Sequence, residues 1–137
     1  MGTIKNCTTI EQARVLMRFL PLESADYCYR TISDDSYDLV CRLYSDWKEE
    51  YKSLLSSNDV TIVPCWSLAS LFSLLPVYIY NNEDCLRLRM DKSNDDFNIW
   101  YDNLDTGTVE ESFDVTGLNE IDACYEMLKL LNEKQLL

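Results

Sequence analysis

Apolar and polar residues follow one spacing before Pro76 and another after it. The most apolar stretch, Pro64 to Pro76, ends at that residue and carries no charge. Within it Leu68, Leu71, Phe72 and Leu75 fall at i, i+3, i+4 and i+7, one face of a 3.6-residue period. Ser67 stands where a hydroxyl caps a first turn, and Pro76 stops the helix because proline can neither donate nor continue it. Leu74 lies off that face, which predicts burial on more than one side. The pattern predicts a short buried central helix. It falls well short of the ~20 apolar residues of a membrane span.

Upstream, Thr8 to Leu20 reads as an amphipathic helix. Ile10, Ala13, Leu16, Met17 and Leu20 form its stripe, and Thr8 with Glu11 or Thr9 with Gln12 gives capping-box spacing at its start. Leu22 to Asp26 adds a turn after Pro21. Tyr27 to Ile32 and Tyr37 to Leu43 are aromatic and β-branched runs around the polar cluster Ser33 to Ser36, the signature of a hairpin. Between Tyr44 and Asp59 the pattern is undecided: Trp47, Tyr51, Leu54 and Leu55 keep helical spacing, while Ser56 to Asp59 reads as a loop. Val60 to Val63 is a short apolar segment feeding the central helix.

After Pro76 the segments shorten and alternate. Val77 to Tyr80, Cys85 to Met90, Phe97 to Asp102 and Val109 to Val115 are separated by acidic or Asn-rich turns, one of them Asp105-Thr106-Gly107. Alternation of this kind predicts an antiparallel meander with one face on a core. Gly117 breaks the last strand, and Asn119 with Asp122 marks a helix start. Ile121, Cys124, Tyr125, Leu128 and Leu131 then line one side of a C-terminal amphipathic helix. The whole reads as a single α+β domain over residues 1–137, a meander covered by an N-terminal helix, the central helix and the C-terminal helix.

Composition agrees with a folded chain: 47% of residues are hydrophobic, too many for disorder. The net charge of −12 is the unusual figure, and it disfavours direct contact with nucleic acid or an anionic membrane. The six cysteines stand singly among apolar neighbours, with no C-x-x-C pair and no histidine, so buried reduced thiols in a cytoplasm are expected. No apolar leader follows Met1.

Four motifs occur in order: Thr9-Ile10-Glu11-Gln12-Ala13, Ser24-Ala25-Asp26-Tyr27, Pro64-Cys65-Trp66-Ser67-Leu68 running to Leu75-Pro76, and Asp122-Ala123-Cys124-Tyr125-Glu126-Met127. The set resembles a family of short uncharacterised proteins of prophages and conjugative elements in gut bacteria. That resemblance covers most of the chain, with Ile32 to Asp59 loosely patterned. It implies a genomic context and a compartment, and no activity, substrate or catalytic residue.

Candidate chemistry is sparse. Asp91, Ser93, Asp95 and Asp102 match positions one, three, five and twelve of a calcium loop, but Asp96 stands where the turn needs glycine, so the stretch reads as a solvated hairpin loop. Without histidine the usual general base is missing, and scattered glycines make no phosphate loop. No catalytic residue, metal ligand or cofactor is assigned. The expectation is a small acidic protein that binds another protein, with Asp34, Asp35, Asp38, Trp47, Asp95, Asp96 and Trp100 as candidate partner-binding residues. Two alternatives stay open. One is a nucleic-acid mimic, with Asp34, Asp35, Asp38, Asp46, Glu49, Glu50, Asp95, Asp96, Glu110 and Glu111 along one face; the other is a metal-binding or enzymatic domain working through the acidic loops.

Overall fold

The computed structural model describes residues 7–33, 36–41 and 62–137, with side chains for 7–29 and 62–137. The helical spacing expected around Trp47 and the loop at Ser56 to Asp59 lie outside the described residues. The described elements are α-helices and two antiparallel sheets, an α+β fold that includes the expected meander. The chain divides into two compact units, one reaching to Ser70 and the other running from Leu71 to Leu137.

The first unit contains α1 (Ile10–Leu16), a 3₁₀ turn (Leu22–Ser24), β1 (Tyr27–Ser33), β2 (Ser36–Cys41) and β3 (Ile62–Cys65), and α2 (Leu68–Leu74) begins within it. Of the two start signals before α1, the second is used. Thr9 Oγ1 accepts from Gln12 N at 3.1 Å and Gln12 Oε1 accepts from Thr9 N at 3.0 Å, a reciprocal box that satisfies two orphan donors. Thr8 is drawn instead into the strand-like pairing of Cys7 with Ser67, donating its N–H to Trp66 O at 3.0 Å. Ala13 and Leu16 are buried, and α1 packs on β3.

The hairpin forms as expected, Tyr27 opposite Cys41 through to Ser33 opposite Ser36. β3 pairs with the other side of β1, placing Tyr27 opposite Cys65 and Cys28 opposite Pro64. Pro64 and Cys65 are therefore strand and not the approach to a helix. A proline is admitted there because β3 is an outer strand of the order β2-β1-β3.

α2 starts at Leu68, with Ser67 Oγ accepting from Ser70 N at 3.3 Å in the capping role its position suggested. Asp26 takes the N–H of Ser67 at 2.9 Å on Oδ1 and its hydroxyl on Oδ2. Leu71 and Leu75 are fully buried, Leu68, Phe72 and Leu74 half-buried, and Ala69 and Ser73 exposed. The covered stripe of α2 is thus narrower than its apolar content.

The second unit is the meander β4 (Tyr78–Asn81), β5 (Asp84–Lys92), β6 (Phe97–Asn103) and β7 (Val109–Gly117), strands adjacent in chain order, followed by α3 (Glu120–Glu133). One face is core: Ile79, Leu86, Ile99, Tyr101 and Phe113 are buried, as are Ile121, Ala123, Cys124, Met127, Leu128 and Leu131 of α3. α3 lies along β6 and β7. Tyr125, expected in the buried stripe, sits at its rim with Lys129 Nζ 4.6 Å from its ring centre. The Tyr101 ring meets Phe113 edge-on at 6.3 Å, and its hydroxyl donates to Pro76 O at 2.6 Å, which ties the chain entering β4 to the core.

Asn119 caps α3, its Oδ1 accepting from Asp122 N at 2.9 Å. Glu120 follows in the first turn, where a carboxylate is favoured. Its own backbone N–H and Lys92, 3.0 Å away, hold its pKa below the ordinary carboxylate value. A lowered folded pKa means stability that is present above about pH 4.3 and is lost as pH falls through the folded value. Glu120→Gln is expected to flatten the acid limb of a stability-against-pH curve by no more than about 0.5 kcal/mol, since Lys92 is exposed and Glu120 only half-buried. Urea titrations between neutral and acid pH will read it.

Candidate interaction surface

The face of the meander turned away from α3 is built by strand register. Side chains alternate across a sheet, so core-facing Ile79, Leu86 and Tyr101 send their neighbours to the other side. Across the strands this places Tyr78 beside Arg87 and Arg87 beside Asp102, with Arg89, Trp100 and Asp114 in the adjoining row. Tyr78 is 51% exposed and Tyr80 70%, while Trp100 and Arg87 are half-buried. Leu104 and Val109 are exposed at the same end of the sheet.

The charges on this face are unevenly matched. Arg89 Nε lies 3.4 Å from Asp102 Oδ2. Asp102 is buried to 7% exposure, yet its Oδ1 has no hydrogen-bond partner, and neither has Nε of Arg87, the residue directly opposite. Buried polar atoms ordinarily find partners, so this pair is the least satisfied place on the sheet. Asn98 Nδ2, by contrast, is well engaged, donating to Asp114 Oδ1 at 2.7 Å and Val115 O at 2.6 Å.

The residues singled out from sequence are dispersed. Asp34, Asp35 and Trp47 lie outside the described residues, and Asp38 stands on β2 opposite Arg30, where side chains are not described. Asp95 and Asp96 sit in the exposed β5–β6 turn, which closes on itself through Ser93 N donating to Asp96 O at 3.0 Å. Of Asp95, Asp96 and Trp100, whose side chains are described, Trp100 joins the outer face. Sequence reasoning passed over Tyr78, Tyr80, Arg87 and Arg89. The alternation of Arg87 and Arg89 with Leu86, Leu88 and Met90 was the signal that placed both guanidinium groups on one side.

The acids described are spread along the sheet and do not form one cluster. Asp95 and Asp96 stand at one end of β6, while Glu110 and Glu111 lie beside its other end, roughly 20 Å away at strand rise. Among the described residues no group of three metal-ligating side chains occurs, and Asp102 of the calcium-like spacing is engaged by Arg89.

The thiols form the other chemically notable group. Cys7, Cys28, Cys65 and Cys124 are buried, Cys85 is half-buried, and none of these is in a disulfide. A hydrogen bond with Cys7, and then burial, push the Cys65 thiol well above its ordinary range. Burial, with Glu120 nearby, pushes Cys124 up to about 12. Tyr29, raised by burial and by Cys7, donates its hydroxyl to Thr8 O at 2.7 Å. Because the thiolate is the reactive form and needs access to the reagent, iodoacetamide on the native protein is expected to label Cys85 before Cys7, Cys28, Cys65 and Cys124. Cys7, Cys28, Cys65 and Cys124 should stay unmodified until denaturant is added, as read by peptide mass mapping.

Comparison with protein-family models, curated proteins and solved structures finds no match. Among the described residues, no helix is long and apolar enough to cross a membrane.

Proposed function

We propose that this chain is a non-catalytic protein-interaction module that docks a partner protein on the outer face of its meander. The observation that carries the reading is the grouping of Tyr78, Tyr80, Trp100, Arg87 and Arg89 on one side of a sheet whose other side is core. Tyrosine, tryptophan and arginine are the residue types that concentrate binding energy at interfaces. On this face the guanidinium groups of Arg87 and Arg89 stand beside the carboxylates of Asp102 and Asp114. The prophage or conjugative-element context and the cytoplasmic setting belong to this proposal and rest on the sequence motifs. The nucleic-acid mimic gains no support from Asp95, Asp96, Glu110 and Glu111.

Affinity capture from a lysate of the source cell tests it, using wild type, a Trp100→Ala/Arg89→Glu double variant, and Glu133→Gln on the exposed side of α3 as control. One identified protein should be retained by wild type and control and depleted at least roughly tenfold by the double variant, the loss of one good anchor. Equal recovery by all three, or no recovery, overturns the reading. Calorimetric titration with calcium, magnesium and manganese is expected to give no heat, and a saturable signal would favour the metal-binding alternative.

A further inference from the structure

We propose that two copies of this chain pair edge to edge through β4, joining their meanders into one continuous sheet. The inference goes beyond the docking face above, since it uses main-chain groups at the sheet's edge and not the side chains of Trp100 and Arg89. β4 is an outer strand of the order β4-β5-β6-β7. Leu88 N donates to Val77 O at 2.8 Å, which fixes the phase of the ladder. Hydrogen-bonding residues alternate along an antiparallel strand, so Ile79 and Asn81 turn toward β5 while Tyr78 and Tyr80 present N–H and C=O outward.

That edge is self-complementary. A twofold axis at Ile79 sets Tyr78 of one copy opposite Tyr80 of the second, and each outward donor then meets an outward acceptor. The exposed tyrosine rings stack across the join in cross-strand pairs, an arrangement that stabilises sheets. An open groove of about 360 Å³, lined by Tyr78, Ile79, Tyr80, Gln135, Leu136 and Leu137, lies along the same edge and would be closed by its own symmetry mate.

The two edges of the meander are defended unequally. Proteins protect sheet edges with charge, bulges or proline. β7 has Glu110, Glu111 and Asp114 along it and a register irregularity opposite Trp100 to Asp102. β4 reads Tyr-Ile-Tyr-Asn, uncharged and regular, and only its length of four residues limits it. An aromatic side chain buries roughly 150–250 Å², so the paired tyrosines with Val77 and Leu137 fall below the roughly 1,200–2,000 Å² of a stable interface. The dimer is accordingly reversible.

Charge separates a second copy from a basic peptide as occupant. Two chains of net charge −12 repel, and salt screens that repulsion, so self-pairing strengthens with ionic strength whereas a basic ligand weakens. Sedimentation of the full chain over a wide concentration range, at low and high salt, should show the mass rising from 16.0 kDa toward its double, further at high salt. Tyr80→Pro deletes an outward N–H that β5 does not use, and Tyr80→Lys places a charge at the join. Both should remain monomeric with unchanged circular dichroism, Tyr80→Phe should dimerise as wild type, and Tyr80→Lys decides should the proline variant unfold. A wild type that is monomeric throughout, a dimer that dissociates with salt, or one that survives both substitutions overturns the proposal. Trp100→Ala, which tests the docking face, leaves the dimer intact.

Discussion

Replacing Gly117 with alanine is expected to cost about 3 kcal/mol and to lower Tm by roughly 10 °C, the upper end of what overpacking does to a chain this long. Gly117 is the last residue of β7, opposite Phe97, and the first turn of α3 is laid against it. A Cβ there would come within 2.9 Å of Ala123 Cα and of the Asp122 carbonyl carbon, and closer still to Ala123 N. All are backbone atoms of α3, so no side chain can swing aside. The helix must lift from the sheet and loosen the packing of Ile121, Cys124 and Leu128. Two comparisons isolate the cause. Gly107 has φ +71° and open space around it, so Gly107→Ala meets only the left-handed backbone penalty, about 1 kcal/mol. Ala123→Gly should fail to rescue Gly117→Ala, because the collision involves no Cβ of Ala123. A Gly117→Ala protein that melts with wild type would show that α3 does not rest on β7 at this point.

Gly117 also marks where the sequence was readable and where it was not. That it ends a strand was legible, because alternation stops there and Asn119 opens a 3.6-residue pattern. That it is a contact point for a helix was not, because only the fold brings Ala123 back over it. The meander, its order and α3 could be read from local patterns, since each strand pairs with the next and needs only a turn. β3 was harder. Pro64 and Cys65 sit between an apolar run and a helix cap, and their strand character comes from pairing with Tyr27 and Cys28 far away in the chain. Thr8 failed as a cap for the same reason: Trp66 claimed both its amide and its hydroxyl. The outer face followed suit. Trp100 was picked as a large aromatic, but Tyr78 became notable only when β4 proved to be an edge, a property of sheet order and not of any single segment.

Trp66→Ala should be the most damaging single change among the described residues of the unit that ends at Ser70, costing about 3–5 kcal/mol, a large part of the roughly 5–15 kcal/mol that holds a domain folded. Its side chain is fully buried, and its indole N–H donates to Ser24 Oγ at 2.8 Å. Ser24 is engaged twice more, its hydroxyl donating to Pro21 O at 2.5 Å and its carbonyl accepting from Ser70 Oγ at 3.0 Å. Trp66 therefore fills the space beneath the 3₁₀ turn and also orients the residue that holds the first turn of α2. The two roles separate by substitution. Trp66→Phe keeps much of the volume and drops the donor, which should cost about 1–2 kcal/mol, and adding Ser24→Ala to it should cost little more on that bond's account. Thr8→Val keeps the shape but withdraws the Oγ1 that accepts from Trp66 N at 3.2 Å, leaving a buried amide unpaired at about 1–3 kcal/mol. Urea midpoints for the four variants rank these effects. If Trp66→Ala falls within about 1 kcal/mol of wild type, a surface-like cost, then the indole is not what this unit is built around. Were Thr8→Val neutral while Trp66→Ala is severe, the stabilisation would reside in packing alone and the polar links would serve only to fix the turn's position.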